Sequence, residues 1–277
     1  MFCLKNGADA LANLWYGEFS IFPKTMVTAA VSARQGGVSE GVYRSLNLAL
    51  HVGDRPDAVI ENRRRFLSAL ELDFDRLVTA QQTHSDRVAV VTASDAGRGN
   101  TVYADALDNT DAMVTNVPGL PLMVFVADCT PVLLFDPIKR AVGAVHAGWR
   151  GSYDSIAARA VETMTAAYGS RPEDILASIG PSINGADYEV GRELADMFTA
   201  RFGEAVTKER GFVLTEGYAK EHLDLWSVNQ YVLEQAGVPA ENICNANVST
   251  DSNHELFFSF RHDDGATGRL AAVIALK

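Results

Sequence analysis

Three apolar runs, Leu122–Val126, Val132–Phe135 and Ala141–Val145, follow one another with only Ala127–Pro131 and Asp136–Arg140 between them. Runs this short, bounded by Pro and Asp, read as buried strands. A parallel pair needs a crossover of a dozen or more residues, and neither linker has room for one. Successive strands must therefore reverse direction or leave for another sheet. This excludes a cleanly doubly wound fold, and no GxGxxG or GxxxxGK[ST] loop argues for one.

Helical spacing is legible around these strands. From Asp57, the residues Val59, Ile60, Phe66, Leu67 and Leu70 recur on one face, which leaves Arg63 to Arg65 on the other. Ser152–Tyr168 carries Ile156, Ala160, Val161 and Met164, with Gly169 placed for a left-handed stop. Val190–Phe202 and Leu225–Ala236 repeat the pattern, with Asp224 as an N-cap and Gly237 as a stop. Arg269–Leu276 supplies a late, near-continuous apolar strand. The expected class is α+β, a single layered α/β domain with a mixed β-sheet. No Pro/Gly/Ser-rich linker, charge block or fixed-period repeat divides it.

Charge narrows the partners. Against 35 Asp+Glu stand 24 Lys+Arg, a formal net charge of −11. No nucleic-acid sleeve and no anionic-membrane binder is expected from that balance. An anionic substrate stays open, because a few arginines in a cleft outvote a distant acidic surface. No apolar run is long enough to cross a membrane as a helix, and Asn6, Asp9 and Asn13 interrupt any secretory core near the start. The cysteines, Cys3, Cys129 and Cys244, are odd in number and far apart, so a reducing cytoplasm is expected rather than a disulfide framework. Cys3 and Cys244 read as small buried hydrophobes.

Reactive residues gather where apolar strands end. Gln81-Gln82-Thr83-His84-Ser85-Asp86 follows Leu77–Thr79, Ala127-Asp128-Cys129-Thr130-Pro131 joins two strands, and His146-Ala147-Gly148-Trp149-Arg150-Gly151 joins a strand to a helix. Such strand ends commonly display catalytic groups. His84, Cys129 and His146 form a Cys/His₂ set that suits one zinc ion and leaves a fourth position open. Two ordinary histidines with a buried cysteine, or a Cys–His dyad with Cys129 as nucleophile, satisfy the same spacing.

Those three segments closely resemble the laccase-domain family, named multicopper polyphenol oxidoreductase and also described as zinc-dependent purine nucleoside phosphorylase or peptidoglycan editing factor. The resemblance extends to Gly36-Gly37-Val38-Ser39, Ser45-Leu46-Asn47-Leu48, His51-Val52-Gly53-Asp54 and Glu61-Asn62-Arg63-Arg64. It continues through Ile179-Gly180-Pro181-Ser182-Ile183, Tyr188-Glu189-Val190-Gly191, Leu223-Asp224-Leu225 and Phe257-Phe258-Ser259. It covers residues 27 to 277 and leaves 1 to 26 as an N-terminal extension. The resemblance implies a fold related to that of toxin deamidases of the cysteine hydrolase type. It also implies that His84, Cys129 and His146 are the metal ligands and catalytic residues.

Activity is likewise implied by the resemblance. It points to zinc-dependent phosphorolysis of adenosine, inosine, guanosine and methylthioadenosine, and to adenosine deamination, with nucleoside and phosphate as small-molecule partners. Copper-dependent polyphenol oxidation is the alternative, although six histidines are few for a multicopper laccase. A cysteine hydrolase editing peptidoglycan precursors, with Cys129 as nucleophile, is a further one. Arg44 and Arg150 are candidate phosphate ligands because a guanidinium fork makes two charge-assisted bonds. Asn47 lies beside Arg44 in the same substrate-binding loop. Asp128 is a candidate for orienting an imidazole, and Gln82 for reading a purine edge. Trp149 reads as packing more than stacking, and His51 and His254 as hydrogen-bonded structural residues. His222 and His262 carry no such context. The residues leave the oligomeric state open.

Overall fold

Both exits left open by the short linkers are used. A computed structural model describes residues 1–7 and 13–277; Asp9 lies outside the described residues. The strands are β1 (Phe2–Asn6), β2 (Trp15–Phe19), β3 (Val27–Ser32), β4 (Val78–Thr79), β5 (Val88–Val90), β6 (Ala112–Thr115) and β7 (Leu122–Val126). They continue as β8 (Thr130–Asp136), β9 (Ala141–Ala147), β10 (Leu176–Ile179), β11 (Val213–Leu214), β12 (His222–Leu223), β13 (Ile243–Asn245) and β14 (Leu270–Leu276). The helices are α1 (Pro56–Ala69), α2 (Trp149–Tyr153), α3 (Ile156–Tyr168), α4 (Arg192–Phe202), α5 (Glu204–Arg210) and α6 (Leu225–Gln235).

β8 and β9 reverse on each other, with Thr130 opposite Ala147 at one end and Asp136 opposite Ala141 at the other. β7 instead belongs to another sheet. One sheet runs β1-β2-β3-β14-β7-β4 and the second β13-β10-β8-β9-β6-β5. Both are mixed: β4–β7, β5–β6 and β10–β13 are parallel pairs among antiparallel ones. The Ala127–Cys129 turn is where the chain passes from the first sheet to the second.

The sheets pack face to face, and each has a helical layer outside. Val31, Val124 and Ile274 of the first sheet meet Leu133, Phe135 and Ala144 of the second. Alternate residues Val132, Leu134 and Val145 point the other way, onto Ile156, Val161 and Met164 of α3 and Val228 of α6. Met123, Phe125 and Val273 pack outward against Phe66 and Leu67 of α1. Successive strand residues alternate faces, so a strand covered on both sides needs apolar residues throughout. That is why these runs read as continuous in the sequence.

Several expectations need correction. The helix expected over Ser152–Tyr168 is two, because Ser155 takes a left-handed conformation (φ 62°) between α2 and α3. Residues 2–6 and 15–19, expected to precede the domain, are strands of its first sheet, with Gly17 opposite Val31. Arg63, expected on the solvent side of α1, is 1% exposed, its guanidinium over Phe125. Cys3 is exposed and Cys244 half-buried, and all three cysteines are free. Among the described residues no helix is long and apolar enough to cross a membrane.

Candidate metal centre

Asp111 stands immediately before β6, and its buried carboxylate organises the loop that carries His84. It accepts from the amides of Thr83 (3.1 Å), His84 (3.1 Å) and Ser85 (2.7 Å), and from the Ser85 hydroxyl (2.7 Å). These bonds hold His84 in a left-handed conformation, φ 60°. The same carboxylate lies 2.8 Å from Nδ1 of His146 on β9, which is 3% exposed. With Nδ1 so engaged, Nε2 is the nitrogen His146 has left for a ligand.

Cys129 enters from the turn between sheets. Its Sγ lies 3.8 Å from Nε2 of His84, and the ligand atoms of His84, Cys129 and His146 all fall within 4.8 Å of one another. A tetrahedral zinc with sulfur at about 2.3 Å and nitrogen at about 2.0–2.1 Å asks for slightly closer donors, so small side-chain rotations suffice. Gly148 leaves the room: a Cβ there would meet His84 Cδ2 at 2.8 Å and Cys129 Sγ at 3.0 Å. Buried His146, half-buried Cys129 and exposed His84 thus open in sequence onto a cavity of about 550 Å³.

Charges within the group support one another. Burial opposes a thiolate at Cys129, yet His146 and His84 pull the thiol down to about 6. Burial equally opposes an imidazolium at His146, but Cys129 and Asp111 push it up to about 9. At Asp111, burial is outweighed by the His146 and Ser85 bonds, which hold the acid at about 2. Once an arriving ion displaces the His146 proton, an anionic sulfur facing two imidazoles is a donor set matched to a divalent cation.

A family profile described as multi-copper polyphenol oxidoreductase laccase matches residues 28–277. The chain belongs to that family. Purine nucleoside phosphorylase YlmD of Bacillus subtilis (strain 168) is 38% identical over 91% of this chain and 89% of its own length. Purine nucleoside phosphorylase YfiH of Shigella flexneri is 36% identical over 90% of this chain and 94% of its own. The crystal structure of YlmD from Geobacillus stearothermophilus gives a TM-score of 0.87 at 31% identity, covering 99% of this chain and 98% of that one.

In this member of the laccase family the other expected residues divide. Gln82 lines the cavity, but its amide pairs like a strand with Phe125, accepting from its N–H at 2.7 Å and donating to its carbonyl at 2.8 Å. It has no free edge for a base. Asp128 also lines the cavity, yet its oxygens accept from Thr250 Oγ1 and the Arg261 amide, each at 2.6 Å. It fixes two loops, and the imidazole-orienting role falls to Asp111. Arg150 lines the cavity and stacks over Trp149, 4.3 Å from its ring.

Arg44 and Asn47 are not brought to the metal ligands by their side chains. Arg44 lines a separate surface groove with Trp15 and Arg34. Asn47 is fully buried, and its Oδ1 accepts from the Arg269 amide at 2.9 Å. His51 does line the cavity, while His254 stacks on His262 and His222 lies 3.0 Å from the Gly185 carbonyl. Tyr188, Phe260, Arg261 and Arg269 complete the walls. Asp111 was the main omission of the sequence reading. Its only signal is an acid at the head of Ala112–Thr115, a run too short to stand out.

Proposed function

We propose that this chain is a zinc-dependent purine nucleoside phosphorylase that cleaves adenosine, inosine, guanosine and methylthioadenosine, and that the same centre deaminates adenosine. The observation that supports it best is the Cys129/His84/His146 group opening onto a cavity walled by arginines and aromatic rings. Full-length relatives that bear the phosphorylase name strengthen the reading.

Bound zinc would supply a Lewis acid and a water acidified toward pH 7. The rest is work for the chain. In phosphorolysis, phosphate attacks C1′ while the purine leaves, and positive charge builds on the sugar. The arginines place the phosphate, and fixed position accounts for much of the rate in such a step. Trp149, Tyr188 and Phe260 offer aromatic faces for the purine. Asp111 keeps His146 oriented throughout. The free cysteines fit a reducing, cytoplasmic setting.

A second reading has its own observation. Asp111, His146 and Cys129 stand in the order orienter, base and nucleophile, as a cysteine hydrolase requires. The deciding experiment is chromatography of adenosine incubated with metal-analysed protein, with and without phosphate, beside Cys129→Ala. Phosphate-dependent adenine and phosphate-independent inosine, both lost in the variant and on chelation, are the expected products. Phosphate-independent turnover that survives chelation and is lost in Cys129→Ala favours the hydrolase. Several coppers per chain with proportional phenol turnover would favour oxidation instead.

A further inference from the structure

We propose that Arg269 and His51 form the oxyanion subsite of the cavity and hold the inorganic phosphate of the reaction proposed above, on which this assignment rests. Neither residue ligates the metal group, and both line the same cavity as its three ligands. The proposal moves the phosphate away from Arg44, which lines another groove.

Arg269 is built for this use. Its amide donates to Asn47 Oδ1 at 2.9 Å, and its carbonyl accepts from the Leu48 amide at 3.1 Å. Asn47 in turn donates to Asp54 Oδ2 at 2.9 Å and to the Ala49 carbonyl at 3.3 Å. The loop leading to His51 and the start of β14 are therefore one fixed wall. In the guanidinium, Nη1 donates to the carbonyls of Thr267 (2.9 Å) and Gly268 (3.0 Å), which anchors one edge. Among the described residues Nε and Nη2 have no protein acceptor and no carboxylate pairs with Arg269, whose guanidinium lies 5.4 Å from the Phe260 ring. A half-buried arginine held on one edge and unpaired on the other suits a two-bond contact with an oxyanion.

The surroundings add charge of the same sign. Behind the wall, Arg63 is 1% exposed, donates to backbone carbonyls of Leu48, Gly99 and Asn100, and has no carboxylate partner among the described residues. It stacks 4.8 Å from the Phe125 ring, which lines the cavity and lies 6.2 Å from the His51 ring. His51 is exposed, yet the protein crowded around it, then Arg269 and Arg63, push it down to about 4, so it offers one neutral N–H donor. Two guanidiniums that meet only carbonyls, beside a neutral imidazole, make a positive end to the cavity.

The neighbouring arginines are less suited. Arg261 spends both Nη atoms on the Glu189 carbonyl, each at 3.0 Å, and Arg150 is exposed and stacked on Trp149. Of the acidic groups that act on Arg269, the Cys129 thiol comes first and belongs to the metal group, and the carboxylate of Asp128, next, already accepts from Thr250 and Arg261.

The test is calorimetric titration of the zinc-loaded protein with inorganic phosphate and, separately, with adenosine. Arg269→Gln should weaken phosphate about tenfold or more and leave adenosine within about twofold, with Arg269→Lys recovering part of the loss. His51→Leu, which leaves the arginine in place, should weaken phosphate by a smaller factor. Phosphate affinity unchanged in Arg269→Gln and His51→Leu, both folded by thermal melting, would overturn the subsite. A loss appearing in Arg150→Gln alone would move it there. Phosphate binding that depends on Arg269 in a protein that cleaves no nucleoside keeps the subsite and removes phosphorolysis. Phosphorolysis with an Arg269-independent KM for phosphate does the reverse.

Discussion

His146 Nδ1 and the Asp111 carboxylate lie 2.8 Å apart, and both side chains are buried. Because that carboxylate also gathers the amides of Thr83, His84 and Ser85, one residue presets both histidines of the metal group. Sheet and loop are tied at a single point. The ligands are thus held before any ion arrives, which reduces the ordering that binding must achieve.

Asp111→Asn tests this directly. An amide keeps an acceptor oxygen for the loop but loses the charge that holds the His146 tautomer. Losses of about 10–100-fold in metal affinity are usual when such an orienting partner is removed. Competition with a zinc-chelating dye should show a loss of that size, while circular dichroism stays native. An unchanged affinity would mean that the histidines are oriented by packing alone.

Gly148→Ala separates the site from the fold. Gly148 has φ −69° and ψ −179°, so alanine is permitted by the backbone. The added methyl would press on His84 Cδ2 and Cys129 Sγ, at 2.8 and 3.0 Å. Metal affinity should fall while the melting temperature moves little. A normal affinity would show that the loop carrying His84 yields easily, despite its bonds to Asp111.

The layered fold was legible because burial on both faces writes itself as continuous apolar runs, as in β7 and β8. Caps were legible too: Asp224 accepts from the amides of Trp226 and Ser227, and Gly169 takes φ 70°. Metal ligands could be named, since Cys and His are few and sit at strand ends. Their partners could not. Asp111 meets His146 only because β6 pairs with β9, and pairing partners are not printed in local sequence. Arg44 and Asn47 share a loop in sequence, yet one faces a surface groove and the other the interior. Arg63 misled for a related reason, since a charge on a helix is read as solvent-facing unless the carbonyls that receive it are known.

Arg63 is also a stability determinant. Its guanidinium satisfies the carbonyls of Leu48 (2.7 Å), Gly99 (2.7 Å) and Asn100 (2.9 Å), which belong to two different loops. Leaving a buried carbonyl unpaired costs about 1–3 kcal/mol, partly offset by no longer burying a charge. Arg63→Met should therefore lose about 3 kcal/mol in urea denaturation. Arg63→Lys should rescue little, because an ammonium lacks the planar fork. A change under about 0.5 kcal/mol, the range of ordinary surface substitutions, would show those carbonyls to be hydrated.

Finally, Cys129 should be a thiolate in the metal-free protein at neutral pH. Burial resists the charge, but His146 and His84 bring the thiol to about 6, against about 8.5 for an unperturbed cysteine. His146 moves oppositely, burial being outweighed by Cys129 and Asp111, to about 9. The stability effects have opposite signs. A lowered thiol contributes fully above about 8.5, and its contribution is lost as pH falls through about 6. A raised imidazole contributes fully below about 6.5, and its contribution is lost as pH rises through about 9. Between about 6.5 and 8.5 the folded chain has moved a proton from sulfur to imidazole, yet binds as many as the unfolded chain. The pair therefore adds no slope to melting temperature in that window. Thiolate absorbance, taken as the difference between metal-free protein and Cys129→Ala, should rise in a step near pH 6. A step near 8.5, the ordinary cysteine value, would show that sulfur feels neither histidine and that metal binding must itself expel the thiol proton.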